Sequence, residues 1–245
     1  MYSFSGLSTS DPTQKYGCWF KFYCRYVLGL TGVPGPTLVF GKACHAVIEA
    51  AIKAGDPNTL NMLADAIASA SDLDADEIKN CVNIEPVFQA VKTGGEVEEY
   101  FEMPLEPFGP TLRGYIDFYK VDNVVYLTDW KTNQRSYRPT DNYQLALYAA
   151  YLRQKYNLPV IGRLAFLRFN WVEEHEFTNA EIEEALDWAR EQANECDARK
   201  QRIADGEPPL EVFPKNTGKC EWCEYADFCL SETKVIPEAI TTPEE

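Results

Sequence analysis

Residues 114–133 read GYIDFYKVDNVVYLTDWKTN, with Asp117 among Tyr115, Ile116 and Phe118, and with Asp129 and Lys131 closing the apolar run VVYL. The aromatic and β-branched residues on either side of Asp122-Asn123 predict two strands joined by a tight turn. The charges contradict a plain core hairpin. Burying an unpaired carboxylate costs several kcal/mol, roughly, so these strands must hold something that compensates it.

Side chains alternate across a strand, so Asp129 and Lys131 share one face while Trp130 points to the other, into packing. Around a hairpin the numbers of opposed residues have a constant sum. A two-residue turn sets that sum to 245 and a three-residue bulged turn to 246, and the numbers of Asp117 and Asp129 total 246. The two carboxylates are therefore opposed or displaced by one residue, with Cα atoms about 5–6 Å apart. Like charges so placed destabilise a sheet, and a cation between them is the simple remedy. A hard divalent ion, Mg²⁺ or Mn²⁺, takes oxygen ligands and leaves positions for water and a substrate phosphate. Lys131 would stand beside it, to position or help deprotonate a water or to neutralise charge on a phosphate. The spacing alone equally allows an exposed edge where Asp129 and Lys131 pair with each other or with solvent.

Outward from the hairpin, residues 97–105 read as a preceding strand, 111–121 and 124–131 as the hairpin, DNYQLALYAAYLRQKYN as a helix and PVIGRLAFLRFNWV as a further strand. Upstream, residues 14–30 fit a helix packing Trp19, Phe22, Tyr26 and Val27 and ending at Gly29. A second helix spans 38–54, and residues 58–92 are helical with a polar break at SDLDADE. The fold class is α/β, a mixed central sheet flanked by helices. One domain is expected over 1–245: a mainly helical part (1–95), the sheet core (96–172), an acidic helix (173–211), a cysteine-rich segment (212–232) and a loose tail (233–245).

The 245 residues are 45% hydrophobic, enough for a sizeable core. The first twenty residues have neither a basic nor an apolar leader pattern, and no run approaches the roughly 18 apolar residues of a membrane helix. A soluble, cytoplasmic protein without a membrane partner is expected. Its net charge of −15 argues against a phosphate-rich partner. However, residues 173–211 hold 13 acidic and four basic side chains, whereas 1–40 and 141–172 are net basic. An acidic helix face accounts for most of the imbalance.

Eight cysteines in a reducing compartment point to metal or redox chemistry. Cys220, Cys223 and Cys229 form C-x2-C-x5-C, and Cys18 lies far upstream. Such thiolates wrap one centre readily, and spacing does not separate zinc from iron and sulfide. Cys24 competes with Cys18 for the fourth position. Cys44, Cys81 and Cys196 are isolated and read as buried thiols.

Asp117 followed by Asp129-Trp130-Lys131 resembles the D…(D/E)-x-K signature of the PD-(D/E)XK nucleases, in the branch that includes the RecB nuclease domain, Cas4 and exonuclease V. GKACH is similar to that branch's G-x-x-x-H and DNYQLALYAAYL to its Q-x-x-x-Y. Residues 7–30, LSTSDPTQKYGCWFKFYCRYVLGL, look like its S-x-S…Y-x-x-C-P-R-K-F-x-x-R-Y-x-L-G-L, with Trp19 in place of the proline. The resemblance implies a restriction-endonuclease-like core whose terminal segments are clasped by a cysteine-ligated [4Fe-4S] cluster on Cys18, Cys220, Cys223 and Cys229, with Zn²⁺ as the alternative. It implies a divalent ion held by His45, Asp117, Asp129 and the Trp130 backbone carbonyl, with Lys131, Gln144 and Tyr148 completing the catalytic set. Glu98 resembles a glutamate common on the first core strand, with Glu99 and Glu102 close by. The implied activity is a Mg²⁺- or Mn²⁺-dependent DNA exonuclease acting on single strands or DNA ends in recombination, repair or phage DNA processing, with a recombination or helicase partner. A weakly active or inactive DNA-binding or assembly module is the alternative.

Overall fold

A computed structural model describes residues 1–32, 34–220 and 223–230; the tail read at 233–245 lies outside them. In chain order the elements are β1 (Tyr2–Ser3), α1 (Phe4–Ser10), α2 (Trp19–Phe22), α3 (Pro36–Ala54), α4 (Thr59–Ser71), α5 (Ala75–Val82) and α6 (Glu85–Thr93). There follow β2 (Glu96–Pro104), β3 (Thr111–Val121), β4 (Val125–Lys131), α7 (Gln144–Tyr156), β5 (Val160–Phe166), β6 (Trp171–Glu176), α8 (Asn179–Ala204), α9 (Pro209–Val212) and α10 (Ala226–Leu230). They divide into two units, one of Met1–Pro34, Pro104–Leu112 and Asp187–Glu245, the other of Gly35–Met103 and Arg113–Leu186.

The second unit carries the sheet. The β3–β4 hairpin pairs Val121 with Val125 and Phe118 with Thr128, so the constant sum is 246 and the turn holds three residues, 122–124. β4 runs parallel to β5 from Val125↔Val160 to Lys131↔Phe166, and α7 supplies the crossover that parallel neighbours require. β4 is thus an interior strand, paired on both sides, which overturns the alternative of an exposed edge. β5 pairs antiparallel with β6, and β2 pairs with β3. The sequence 159–172, expected as one strand, splits here. Leu167–Phe169 tighten into a 3-10 turn, and Asn170 takes the left-handed conformation (φ 48°), a region that asparagine tolerates better than most residues.

α3 buries Phe40, Ala43, Cys44, Val47, Ile48 and Ala51, the i, i+3, i+4 stripe of a helix with one apolar face. That stripe, with α4 to α6, forms a core that includes Phe118 and Trp130 from the sheet. α7 is buried from Leu145 through Ala150, as a helix lying against a sheet with little solvent face should be. α8 begins with a capping box in this unit: Thr178 Oγ1 accepts the Glu181 amide at 3.2 Å and Glu181 Oε2 accepts the Thr178 amide at 2.8 Å.

The first unit joins residues from both ends of the chain. Asp11, 5% exposed, accepts hydrogen bonds from Thr13 and from the Trp188 indole at 2.9 Å. Residues 14–18 are turn rather than helix, and α2 passes directly into a π-helical turn at Tyr23–Val27, with Gly29 at φ +67°. Trp19, Phe22 and Tyr23 pack on Phe213, with ring centroids 5.1 to 6.1 Å apart. Tyr225 donates its hydroxyl to the Leu30 carbonyl at 2.8 Å, and Lys21 pairs with Glu224 at 2.9 Å.

Candidate metal centre

Two groups of side chains meet at the C-terminal half of β4. The first begins on α3. A Cβ at Gly41 would meet Thr132 Oγ1 at 3.2 Å, so glycine lets the helix come close to the end of β4. His45, one turn on from Gly41, places Nε2 2.9 Å from the Trp130 carbonyl oxygen. Its Nδ1 lies 3.6 Å from Asp117 Oδ2 and 4.0 Å from Glu98 Oε1. Asp117 Oδ2 in turn accepts the Trp130 amide at 2.9 Å. One ligand atom each from His45, Glu98 and Asp117 lie within 4.8 Å of one another. Glu98 reaches the group through a backbone at φ 49°, an unusual conformation inside a strand that re-aims the side chain.

The second group centres on Gln144 at the start of α7. Its Nε2 donates to Asp129 Oδ1 at 3.3 Å and to the Tyr148 hydroxyl at 3.3 Å, and its Oε1 accepts from Lys131 Nζ at 3.2 Å. Lys131 Nζ lies 2.5 Å from Asp129 Oδ2. Asp129 is 3% exposed, and the Lys131 ammonium is the partner of its Oδ2. The Asn142 side chain fixes the turn by accepting the Gln144 amide at 2.9 Å.

The electrostatics are those of a site short of positive charge. Burial, then the Asp129 carboxylate, push the Asp117 acid well above the usual carboxylate range, against the opposing pull of Lys131. Burial also raises Glu98, with His45 as the main counterweight. Burial alone would lower Lys131, but Asp129 beside it holds the ammonium charged. Carboxyl groups raised by burial and by one another, converging with an imidazole, are donors that a hard cation would take up. The donor set, two or three carboxylates with one imidazole, fits Mg²⁺ or Mn²⁺.

All the residues singled out for this centre come together: His45, Asp117, Asp129, the Trp130 carbonyl, Lys131, Gln144 and Tyr148. Glu98 is the least legible member. Its neighbours Glu99 and Glu102 look the same in sequence, and only the backbone bend selects it. Glu99 instead pairs with Lys155 at 2.7 Å and accepts the Tyr119 and Tyr151 hydroxyls.

In the first unit, Cys18, Cys220, Cys223 and Cys229 line one cavity of about 370 Å³, together with Ser5, Ser8, Lys21 and Arg25. The Asn216 amide donates to Cys18 Sγ at 3.4 Å, and Cys220 Sγ lies 4.0 Å from the Asn216 carbonyl. Burial pushes up the thiols of Cys223 and Cys229 and raises Cys24, itself fully buried, to about 12.

An opposed carboxylate pair with a following lysine is thus carried on the central hairpin of a mixed sheet flanked by helices. The chain belongs to the PD-(D/E)XK nuclease superfamily, whose family model matches residues 7–230. Members of this superfamily use divalent metals. Among solved structures, one described as a "Putative exonuclease" from Eubacterium rectale is similar at 15% identity and a TM-score of 0.48, over 96% of this chain and 90% of that one. No curated protein sequence matches significantly. Among the described residues, no helix is long and apolar enough to cross a membrane.

Proposed function

We propose that the protein is a DNA exonuclease of the RecB/Cas4/exonuclease V-like branch, hydrolysing phosphodiester bonds of single-stranded DNA or DNA ends in recombination, repair or phage DNA processing. The observation that carries this reading is the convergence of His45, Glu98 and Asp117 within 4.8 Å beside the Asp129, Lys131 and Gln144 network. Asp117, Asp129, His45 and the Trp130 carbonyl, joined by Glu98, would hold the divalent ion. When bound, the ion supplies Lewis acidity toward a phosphate oxygen and lowers the pKa of a coordinated water. Lys131, kept as an ammonium by Asp129, offers a positive donor to a phosphate oxygen as charge develops on it. Gln144 orients both Asp129 and Lys131, and Tyr148 fixes Gln144 from behind. The Trp130 amide holds Asp117 in the rotamer that faces His45.

The cysteine cavity supports the branch assignment. Cys18, Cys220, Cys223 and Cys229 would ligate a [4Fe-4S] cluster. Backbone hydrogen bonding to cysteine sulfur, as from the Asn216 amide, is the environment such clusters use. Closing a span of roughly 200 residues, the cluster would stabilise the first unit by restraining the unfolded chain. Anaerobically prepared protein should be brown and contain iron and sulfide; a colourless preparation carrying zinc alone would assign the cavity to Zn²⁺. An intracellular enzyme working with a recombination or helicase partner is the setting this chemistry suits.

A second reading is an inactive binding or assembly module, and the net charge of −15 favours it. A labelled single-stranded oligonucleotide incubated with Mn²⁺ separates the two. Asp129→Ala or Lys131→Ala should lower nucleotide release by roughly a hundredfold or more. Release that is equal in wild type and variants would overturn the enzyme reading.

A further inference from the structure

The strands β2 and β3 are joined by residues 105–110 alone, a connection that only an antiparallel pair allows. Along this pair, side chains step away from the metal-ligating cluster. Glu98 and Asp117 stand at the cluster. Two residues from each stand Tyr100 and Tyr115, whose ring centroids are 5.1 Å apart at an interplanar angle of 52°. Two residues further stand Glu102 and Arg113. Glu102 Oε1 accepts the Tyr100 hydroxyl at 2.5 Å, and the Arg113 guanidinium also reaches it.

Both rings face solvent, Tyr100 at 44% and Tyr115 at 58% exposure. They are braced against each other, and Tyr100 is also tethered through its hydroxyl, which leaves ring surface uncovered. The surrounding sequence EVEEYFE is acidic and therefore unsuited to tracking a phosphate chain. An uncharged, flat partner meets no such barrier. A nucleobase has that chemistry, because every base presents a π-face to an aromatic side chain. A base within a duplex has both faces covered by its neighbours, so only an unpaired base can use the surface.

We propose that Tyr100 and Tyr115 form a stacking platform for an unpaired base of a single-stranded nucleic acid whose backbone lies at the His45–Glu98–Asp117 cluster. The inference rests on the nuclease reading above and deepens it by making this tyrosine pair a determinant of single-strand preference.

Fluorescence anisotropy with a labelled single-stranded oligonucleotide tests the platform, using the Asp129→Ala background with Mn²⁺ so that cleavage is suppressed. Tyr100→Ala and Tyr115→Ala should each weaken binding roughly tenfold, within the range of one lost base stack, whereas Tyr100→Phe and Tyr115→Phe should retain it. An oligonucleotide carrying a run of abasic sites should bind weakly and be indifferent to these substitutions. Alanine variants that melt like their parent yet bind the normal strand equally well would overturn the platform, and so would an equal loss toward the abasic strand. A parent Asp129→Ala protein that binds no nucleic acid would also overturn it. The nuclease reading is tested apart from this, by wild-type cleavage: active wild type with unaffected alanine variants sinks the platform alone, and inactive wild type whose binding still falls in the alanine variants sinks the nuclease reading alone.

Discussion

Asp117 in the second unit and Cys223 in the first are both polar groups that burial drives toward their neutral forms, yet their neighbourhoods differ. Around Asp117 stand an ammonium at Lys131, an imidazole at His45 and the Trp130 amide, so part of the compensating charge is built into the fold. Around Cys223 the Tyr225 backbone and the Lys21 ammonium oppose the rise, while the Glu224 carboxylate and the nearby Cys18 thiol add to it. A carboxylate site can therefore be ordered before its ion arrives. A set of buried thiols becomes charged only when a metal displaces the protons, because a coordinating thiol is deprotonated outright. On the proposed reading, the first centre would let a substrate come and go, while the cysteine cavity would keep a group bound once.

The largest effect should come from the cysteine side. If the proposed cluster is bound there, Cys18→Ser should lose it together with several kcal/mol, roughly, of stability, whereas Cys24→Ser should keep it. Metal analysis and a thermal melt of the two variants check this, and the reverse pattern would move the fourth ligand to Cys24. A smaller effect is expected at Asp11, in the same unit. Burial raises its pKa, but hydrogen bonds from Trp188 and Thr13 outweigh this and hold it below the usual 3.8. Its ionised form thus stabilises the fold fully above about pH 3.8, and the contribution disappears as pH falls through the lower folded value. Asp11→Ala should cost about 1.5–3 kcal/mol at pH 7, with the gap to wild type closing in acid.

The smallest effect has the opposite sign. Asp117 titrates above its unfolded value of 3.8, so its ionisation destabilises the fold increasingly as pH rises beyond that value. In metal-free protein, Asp117→Asn should raise stability by about 1 kcal/mol at pH 7, and the gain should vanish below about pH 4. Chemical denaturation in EDTA measures it. A variant less stable than wild type would mean that the two aspartates do not repel, and the contrast between the centres would fail with it.

Much of this centre was legible because strand geometry is periodic. The index sum placed Asp117 and Asp129 together, and the turn had only to choose between two values. His45 and Gln144 required a family pattern, since helix periodicity does not say which strand a helix end will meet. Glu98 was legible only as one of several similar glutamates, because a single bent residue re-aims it and sequence gives no local sign of the bend. The break between β5 and β6 was hidden for a related reason: Asn170 stands alone between Phe169 and Trp171, with no glycine or proline beside it to mark a turn. The short α1 was missed although Ser3 caps it, accepting the Gly6 amide at 3.2 Å, because a seven-residue helix offers too few turns for a period to show. The Thr178–Glu181 capping box was a readable signal of where α8 begins.

The backbone of Trp130 holds two side chains of the centre. The amide of this residue grips Asp117, its carbonyl meets His45, and its indole is wedged 4% exposed in the helical core. Asp117 and His45 thus hang from a single backbone residue whose position is set by packing on the opposite face of the sheet. Any repacking that slides the indole carries both along as one rigid jaw, so the tolerance of this centre to change is fixed by a side chain that never faces it.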